Sequence, residues 1–287
     1  MKIAYLITAY NNYEHLKRLV DSLNDSKENF FFIHIDQKSP MPNCFSDYKN
    51  LIFVKRRKVW WGGWSHLGAI IDLIKAALKV EFDYYILLSG VDYPIRPNSF
   101  LYNKLKNGGE YINLIKGFQQ HKSESRVKYF HFDSFDRRNR KSYRTRFFSF
   151  LEKKLRNLYI KKEYPFFHIY HGSTWWALSH DTLAYIDKFI KENPTYVKFF
   201  KSSWCPEESF IPTILGNSDL EVSYLNNLTF TDWNSNPAPA LIDESHLVLF
   251  SNQEEFDSVY GNYTPFFARK FNDDSLAIIK KIEDQLR

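Results

Sequence analysis

The chain has 287 residues, a formal net charge of +6 and an aromatic content of 18%, which is enough material for one large packed domain. Its only two cysteines are Cys44 and Cys205, which excludes a disulfide-rich secreted scaffold and a cysteine-based zinc site. No secretory signal opens the chain and no long apolar run occurs. We therefore expect a cytoplasmic protein without a transmembrane helix, at most peripheral on the inner face of the cell membrane.

The N-terminal third alternates short apolar runs with stretches of helical spacing. The apolar runs predict four buried strands, over 3–7, 30–35, 51–54 and 84–88. Between them, apolar residues spaced three or four apart predict helices over 13–23 and 65–78, the second with Ser65 as its N-cap. Strands that alternate with helices indicate an α/β domain built on a mostly parallel sheet.

Residues 117–162 interrupt this pattern with a polar, basic and aromatic segment. From Arg137 to Lys162 there are eleven Lys or Arg residues and one Glu, so the basicity of the chain is one patch and not a global property. From Phe147 onward the apolar residues of this segment again fall at helical spacing.

The α/β pattern returns after this segment, with a predicted strand over 174–178 and predicted helices over 181–190 and 208–215. No internal repeat and no low-complexity linker separates the two parts. We therefore predict a single domain spanning 1–287, with a basic aromatic insertion at about 117–162.

Three interpretations of the basic segment 137–162 remain open. It lies on an anionic membrane surface through its Phe, Arg and Lys residues, or it binds an acidic acceptor, or it is a solvated helix whose apolar face packs on the core. Nucleic acid is not an expected partner, because the charge is confined to one patch and no nucleic-acid motif occurs.

Ligands of an open α/β sheet bind beyond the carboxyl ends of its strands. The candidate ligand-binding residues are therefore those that follow the predicted strands: Thr8, Ala9, Tyr10, Asp36, Lys38, Trp61, Gly62, Gly63, Asp92 and Tyr93. Asp36 is suited to accept hydrogen bonds from ribose hydroxyls or a base, or else to cap its own loop. Gly62 and Gly63 precede a helix start, which favours either close approach of an anion or a tight turn.

Two adjacent acidic residues, Glu207 and Glu208, open a predicted helix after Cys205-Pro206. Neighbouring side chains on a helix point in different directions, so only one of the two can face a given cleft. A carboxylate there can deprotonate a hydroxyl group, or it can simply interact favourably with the first helical turn.

Seven stretches of this chain resemble one known family, the core-2/I-branching N-acetylglucosaminyltransferases and peptide O-xylosyltransferases (glycosyltransferase family 14). They are HIDQKS (34–39), WWGGWS (60–65), LLSGVDYPIRP (87–97), GSTWWALS (172–179), PEESFIPTIL (206–215), NLTFTDW (227–233) and FFARKF (266–271). The resemblance covers nearly the whole chain, and the third and fifth stretches look closest to the xylosyltransferase branch.

The resemblance implies a GT-A-like, Rossmann-like α/β fold with a mixed, mostly parallel central sheet flanked by helices. It also implies a UDP-sugar as co-substrate, inversion at the anomeric carbon and no metal or other cofactor. Carried over by position, Glu208 is the catalytic base, Asp36 contacts the uridine, Asp92 contacts the donor sugar and Lys270 binds the diphosphate. The residues expected on the acceptor side are Gly172, Ser173, Trp175, Trp176 and Glu207.

Many sugar-nucleotide transferases hold a divalent metal with a D-x-D pair near the position of Asp92, but no two Asp residues of this chain are two positions apart. We therefore predict no metal site, and we expect Arg269 and Lys270 to supply the positive charge under the diphosphate.

The branching enzymes carry another basic residue in the strand before the stretch that corresponds to FFARKF. The corresponding stretch here, 245–248, has neither Arg nor Lys, which leaves Arg269 or His246 for that role.

These observations predict an inverting, metal-independent enzyme that transfers GlcNAc or xylose from a UDP-sugar. The acceptor is a hydroxyl of a glycan or glycolipid, and the new bond is a β-linkage. The expected setting is the synthesis of cell-surface polysaccharides or glycoconjugates. The alternative is a catalytically weak or inactive relative that binds carbohydrate or nucleotide. Peripheral membrane contact would come from the basic segment 137–162.

Overall fold

The structure is a computed structural model that describes residues 1–287. The elements of its N-terminal half are β1 (Ile3–Ala9), α1 (Tyr13–Leu23), β2 (Phe30–Ile35), β3 (Leu51–Phe53), α2 (Trp64–Ala77), β4 (Tyr84–Ser89), β5 (Asp92–Pro94), α3 (Asn98–Lys106), β6 (Glu110–Ile112), β7 (Ile115–Lys116), α4 (Ser125–Lys128) and α5 (Tyr143–Asn157).

The C-terminal half adds shorter strands and two 3₁₀ turns, Pro206–Glu208 and Asp273–Ser275. Its other elements are β8 (Tyr170–His171), β9 (Trp176–Ser179), α6 (His180–Glu192), α7 (Pro194–Phe200), α8 (Phe210–Gly216), β10 (Tyr224–Leu225), β11 (Thr229–Thr231), α9 (Glu244–Asn252), β12 (Phe267–Arg269) and α10 (Leu276–Leu286).

The centre of the fold is a seven-stranded sheet in the order β10-β6-β9-β4-β1-β2-β3. Strand β9 runs antiparallel to both of its neighbours, and every other adjacent pair is parallel. The predicted α/β fold with a mixed, mostly parallel sheet is therefore confirmed. A small three-stranded sheet, β11-β12-β5, continues from the end of β4, and β7 pairs with β8.

Alternating residues of the strands pack into two hydrophobic cores, one on each face of the sheet. On β1, Ile3, Tyr5 and Ile7 belong to one core while Ala4 and Leu6 belong to the other, as the two-residue period of a strand requires. The first core is covered by α1, α3, α9 and α10, and the second by α2, α6, α7 and α8.

All six predicted elements of the N-terminal third are found, each within two residues of its predicted bounds. Helix 13–23 and strand 30–35 match, and the other strands and the second helix differ by one or two residues at an end. The N-cap of α2 is Gly63 and not Ser65. The predicted helix 208–215 is divided into the 3₁₀ turn Pro206–Glu208 and α8.

The insertion contains two helices, α4 and α5, of which α5 buries only Thr145. Phe148, Leu151 and Leu155 of α5 are half-buried, and Phe148 stacks on the buried Phe135, which fits the interpretation of a solvated helix that packs an apolar face on the protein. None of the helices combines the length and the apolar character needed to cross a bilayer.

Candidate functional site

The carboxyl ends of the three central parallel strands meet at one edge of the sheet. Thr8 is paired with His34 on β2 and with Ser89 on β4. The backbone N–H of Gly90 donates to Thr8 O at 2.9 Å, and a Cβ at Gly90 would crowd the Cβ of Ala9. The loops that follow these strands are therefore held close together, with Ala9 buried and the ring of Tyr10 exposed.

Asp36 lies at this edge, directly after β2, and its carboxylate organises the loop around it. Its N–H donates to Ala9 O at 2.9 Å, and its Oδ1 accepts hydrogen bonds from the N–H groups of Lys38 (2.9 Å) and Val59 (3.3 Å). Lys38 Nζ lies 3.4 Å from Asp36 Oδ2 and 4.3 Å from the centroid of the Trp60 ring. Asp36 thus caps its loop through one oxygen and offers the other toward Lys38.

The two glycines before α2 are required by packing. Gly62 has φ +70°, and a Cβ there would overlap the ring of Trp204. The exposed Trp61 packs edge-on against the same ring, with 5.0 Å between centroids. The tight-turn interpretation of this motif fits these contacts.

The N-terminus of α2 is already capped by a carboxylate from the insertion. Ser65 donates to Asp133 through its backbone N–H (2.5 Å) and its Oγ (3.0 Å), and a Cβ at Gly63 would overlap Asp133 Oδ1. Burial raises the pKa of Asp133, opposed by these hydrogen bonds. The anion expected at this helix start is therefore a side chain of the protein.

Asp92 lies beneath the site and is fully buried. Its carboxylate accepts hydrogen bonds from Ser89 N–H and Ser89 Oγ, both at 2.8 Å, and Arg269 Nε lies 3.5 Å from its Oδ1. Burial raises the pKa of Asp92, and Arg269 opposes that rise. In this conformation Asp92 is too deeply buried to contact a ligand directly. It contacts Arg269, which lies between Asp92 and the rest of the site.

Tyr93 points away from the site, contrary to its expected role in ligand binding. Its ring is buried in the core, and its hydroxyl donates to Glu283 Oε1 on α10 at 2.8 Å. Successive residues of β5 face opposite sides of the small sheet, so the strand that directs Asp92 toward Arg269 directs Tyr93 into the core.

Arg269 and Lys270 have different environments although they are adjacent. The Arg269 guanidinium stacks on the ring of Trp175 at 4.2 Å in addition to its contact with Asp92, and burial lowers its pKa. The ammonium group of Lys270 makes no hydrogen bond or ion pair, and its backbone is fixed by Ala240 and Ile242. Lys270 is thus the cation of this pair that is free to bind an anion.

Glu207 and Glu208 diverge, as expected for adjacent residues of a helical turn. The Glu207 side chain is 8% exposed, its Oε1 lies 3.1 Å from His66 Nδ1, and its Oε2 is buried without a partner. The Glu208 side chain is 25% exposed, and its Oε1 accepts no hydrogen bond. Glu208 is therefore the better placed of the two to meet a substrate from solvent.

Two cations from the insertion contact the other oxygen of Glu208. Arg126 Nη1 lies 2.7 Å and Lys122 Nζ lies 3.1 Å from Glu208 Oε2. Lys122 also donates to Gly172 O and to the hydroxyl of Tyr260. Sequence reasoning missed both cations, because nothing in the insertion 117–162 distinguishes them from its other Lys and Arg residues.

The segment 172–176 lies between Glu208 and Arg269. Gly172 N–H donates to Glu208 O at 2.8 Å, and Trp175 stacks on Arg269. Ser173 is partly exposed. Trp176 is buried in the second core, because neighbouring residues at the start of β9 face opposite sides, and this corrects its expected role in acceptor binding.

His246 does not lie in a strand, since 245–248 form the first turns of α9. Its ring contacts Asp243 Oδ1 at 2.7 Å and Asp232 Oδ2 at 3.3 Å, within a capping box at the start of that helix. The structural role of this ring leaves Arg269 as the basic residue next to Lys270.

A continuous series of contacts joins the strand ends to Glu208. Its members, joined by hydrogen bonds, strand pairing, ion pairing, stacking or the chain itself, are, in order, Asp36, Ala9, Thr8, Ser89, Asp92, Arg269, Trp175, Ser173, Gly172 and Glu208. This series connects the predicted residues at the sheet edge to Glu208, the predicted base. No group of three or more His, Cys, Asp or Glu side chains is arranged to hold a metal ion.

Comparison with known proteins finds similarity over most of the chain. The family model described as "Core-2/I-Branching enzyme" matches residues 3–248. Xylosyltransferase 2 of Mus musculus is 26% identical over 248 residues, which cover 82% of this chain and 27% of that protein. Xylosyltransferase 1 of Homo sapiens is 25% identical over 246 residues, 82% of this chain and 24% of that protein.

The chain thus spans about a quarter of the length of these relatives. Among solved structures, residues 1–349 of TarS from S. aureus align with 79% of this chain and 60% of that chain, at 12% identity and a TM-score of 0.37.

Proposed function

Because the chain belongs to the core-2/I-branching enzyme family, and is therefore a glycosyltransferase by family, we propose that it is an inverting enzyme that uses a UDP-sugar. It transfers GlcNAc or xylose to a hydroxyl of a glycan or glycolipid acceptor and forms a β-linkage. The products would be cell-surface polysaccharides or glycoconjugates.

One observation carries the proposal: the partly exposed carboxylate Glu208 and the unpaired Lys270 flank the segment 172–175, since Gly172 bonds to Glu208 and Trp175 stacks on Arg269, the neighbour of Lys270. Glu208 has a free Oε1, and Lys270 has a free ammonium group. A sugar transfer needs a base at the acceptor hydroxyl and a positive charge at the departing diphosphate. We propose that Glu208 and Lys270 meet these two requirements.

The nucleotide half of the donor is proposed to bind over the ends of β1 and β2. Asp36 Oδ2 and Lys38 offer polar contacts to the uridine, and the exposed rings of Tyr10 and Trp61 offer flat surfaces beside it. The capping of its own loop by Asp36 Oδ1 supports this role, because it holds the second oxygen in a fixed position.

The diphosphate is proposed to bind Lys270, with Arg269 positioned beneath it. Arg269 neutralises Asp92, the carboxylate at the position where related folds place a metal ligand. A carboxylate already paired with a guanidinium is a poor metal ligand, and this supports metal-independent stabilisation of the leaving group.

Glu208 is proposed to act as the general base. Its Oε1 takes the proton of the acceptor hydroxyl while that oxygen forms a bond to the anomeric carbon. The bond between the anomeric carbon and the phosphate oxygen breaks on the opposite face, and UDP leaves with the electron pair. Lys122 and Arg126 hold Oε2 and so orient the carboxylate.

The acceptor is proposed to bind beside 172–175. The partly exposed Ser173 and Trp175 follow Gly172, whose N–H fixes the backbone of Glu208. Glu207 supports this side of the site through its contact with His66.

The proposal is tested by calorimetric titration of the full chain with UDP, UDP-GlcNAc and UDP-xylose, each with EDTA and again with Mn²⁺. We expect UDP to bind in EDTA, and one of the two sugar nucleotides to bind more tightly than the other and so to identify the donor. Binding that requires Mn²⁺ would contradict the role of Lys270 and Arg269, and an absence of binding to all three would contradict the UDP-sugar site.

A weak or inactive relative is the second candidate, and one observation favours it: Glu208 is already engaged by two cations. Turnover of the preferred UDP-sugar with a panel of glycan and glycolipid acceptors distinguishes the two. An active enzyme releases UDP faster with the correct acceptor than by slow hydrolysis, whereas an inactive relative binds the nucleotide and shows no acceptor-dependent release.

A further inference from the structure

Helix α5 turns an aromatic stripe toward solvent. Tyr143, Phe147 and Phe150 recur at i, i+4 and i+7, so they share one face of the helix. They are 86%, 61% and 65% exposed. Soluble monomers rarely leave several large apolar side chains together in water, and such patches mark interaction sites.

The opposite face of α5 attaches the helix firmly to the protein. Phe148 packs on Phe132 and Phe135, with 5.5 Å and 5.3 Å between ring centroids. Glu152 accepts hydrogen bonds from the guanidinium of Arg137 and from Phe132 N–H. The stripe is therefore exposed because of how the helix is anchored, and it lies on a fixed support.

Basic side chains flank the stripe and no carboxylate lies among them. Arg146, Lys153 and Lys154 are exposed on the same side of the helix. The one acidic residue of α5, Glu152, faces inward and is paired with Arg137. The α5 face, defined as Tyr143, Arg146, Phe147, Phe150, Lys153 and Lys154, is thus aromatic and cationic.

We propose that the α5 face binds the surface of an anionic lipid bilayer. The aromatic rings would lie at the boundary between headgroups and acyl chains, and the flanking Arg and Lys would contact lipid phosphates. The charge of the face selects this occupant over a second copy of the chain, because a symmetric contact would oppose Arg146 and Lys153 with like charges. The proposal does not depend on glycosyl transfer and goes beyond it.

The test is co-sedimentation of the full chain with vesicles of phosphatidylcholine alone and with vesicles in which about a third of the lipid is phosphatidylglycerol. We expect binding to the anionic vesicles that weakens as NaCl is raised, and little binding to the neutral ones. Each of Arg146→Ser and Lys153→Ser should weaken binding roughly fivefold, and Phe147→Ser combined with Phe150→Ser should weaken it about tenfold or more.

Two matched controls use exposed residues on other helices. Lys188→Ser on α6 removes an exposed charge, and Val248→Ser on α9 removes an exposed apolar side chain; both should bind as the wild type does. Thermal unfolding of each variant confirms that it is folded. Equal binding to neutral vesicles, no effect of the α5 variants, or a solution dimer that the Phe147/Phe150 variant dissociates would overturn the proposal.

Discussion

Arg269 and Asp92 face one another across the antiparallel strands β12 and β5, with 3.5 Å between Arg269 Nε and Asp92 Oδ1. Neither partner has another ionic contact, although Arg269 stacks on Trp175 and Asp92 accepts from Ser89. A buried pair of this kind makes each charge depend on the other, because a single buried charge is costly. The buried side of the candidate site is therefore formed by one ion pair, in which each of the two charges is stabilised by the other.

Asp92→Asn should destabilise the protein by about 3 kcal/mol, because it leaves the Arg269 charge without a counter-ion. Urea unfolding followed by tryptophan fluorescence measures the loss. The matched control is Asp72→Asn, which breaks the partly exposed pair with Arg57 and should cost about 1 kcal/mol or less. Equal losses for the two variants would contradict the dependence described here.

Glu208→Gln should lower the turnover number by ~10²–10⁴-fold, because the amide cannot accept the proton of the acceptor hydroxyl. The Michaelis constant for the donor should change little. Acceptor-dependent UDP release measures both quantities. Glu221→Gln, at an exposed carboxylate without an ion pair, should leave turnover unchanged, and near-normal turnover of the Glu208 variant would remove Glu208 from the proposed mechanism.

Lys270→Met should weaken UDP binding roughly 10- to 100-fold, which is the loss of a charge-assisted hydrogen bond to phosphate. Uridine lacks the phosphates, so its binding should be unaffected by the same variant. Titration calorimetry measures both ligands, and Lys280→Met on the exposed side of α10 serves as the charge control. An equal loss for uridine and UDP would show that the variant disturbs the site as a whole.

Gly63→Ala and Asp133→Ala should show strongly non-additive effects on stability. The backbone at Gly63 has φ −99° and ψ 169°, which alanine adopts readily, so the cost comes from displacing the Asp133 carboxylate from the start of α2. Asp133→Ala alone should cost about 1 kcal/mol as a lost helix cap. A double-mutant cycle in urea should give a coupling energy of about 1 kcal/mol, and additive effects would contradict the contact.

The protein should lose stability as the pH falls from about 6.5 to about 4, because several histidines are buried in their neutral form. Burial lowers the pKa to about 4 for each member of this set: His15, His34, His131 and His171. In this window the unfolded chain binds more protons than the folded one, so acid favours unfolding. Asp92 and Asp133, whose pKa values are raised by burial, act in the opposite direction.

Chemical denaturation at pH 7, 6 and 5 measures this loss of stability. A stability that stays constant or rises over that range would show that the two raised carboxylates outweigh the four histidines.

The elements that could be predicted from sequence are those whose burial is set locally. Helix 13–23 was predicted at its observed bounds because its apolar residues follow the helical period and pack on one face, and strand 30–35 because its apolar run is buried on both faces of the sheet. The three-residue strands β5 and β12 could not be predicted, since Asp92 and Arg269 are far apart in sequence and neither strand is apolar enough alone.

The candidate site could be predicted only in part, for a related reason. Tyr93 was assigned to the site because it follows a predicted strand, and Trp176 because of the family resemblance. Strand register turns both side chains into the core, whereas their neighbours Asp92 and Trp175 contact Arg269. Asp133 reaches the start of α2 from a distant loop, as Lys122 and Arg126 reach Glu208. Such contacts carry no local signal in the sequence.

Strand β9 has a consequence for how the chain folds as it is synthesised. The first four strands of the sheet are complete by Ser89, but the free edge of β4 is paired only by β9, which ends at Ser179. Strand β6 cannot take its place, because it pairs with β9 as well. A nascent chain must therefore carry an open strand edge while the whole insertion is translated. During this interval the unpaired edge of β4 is exposed to aggregation and to chaperone binding.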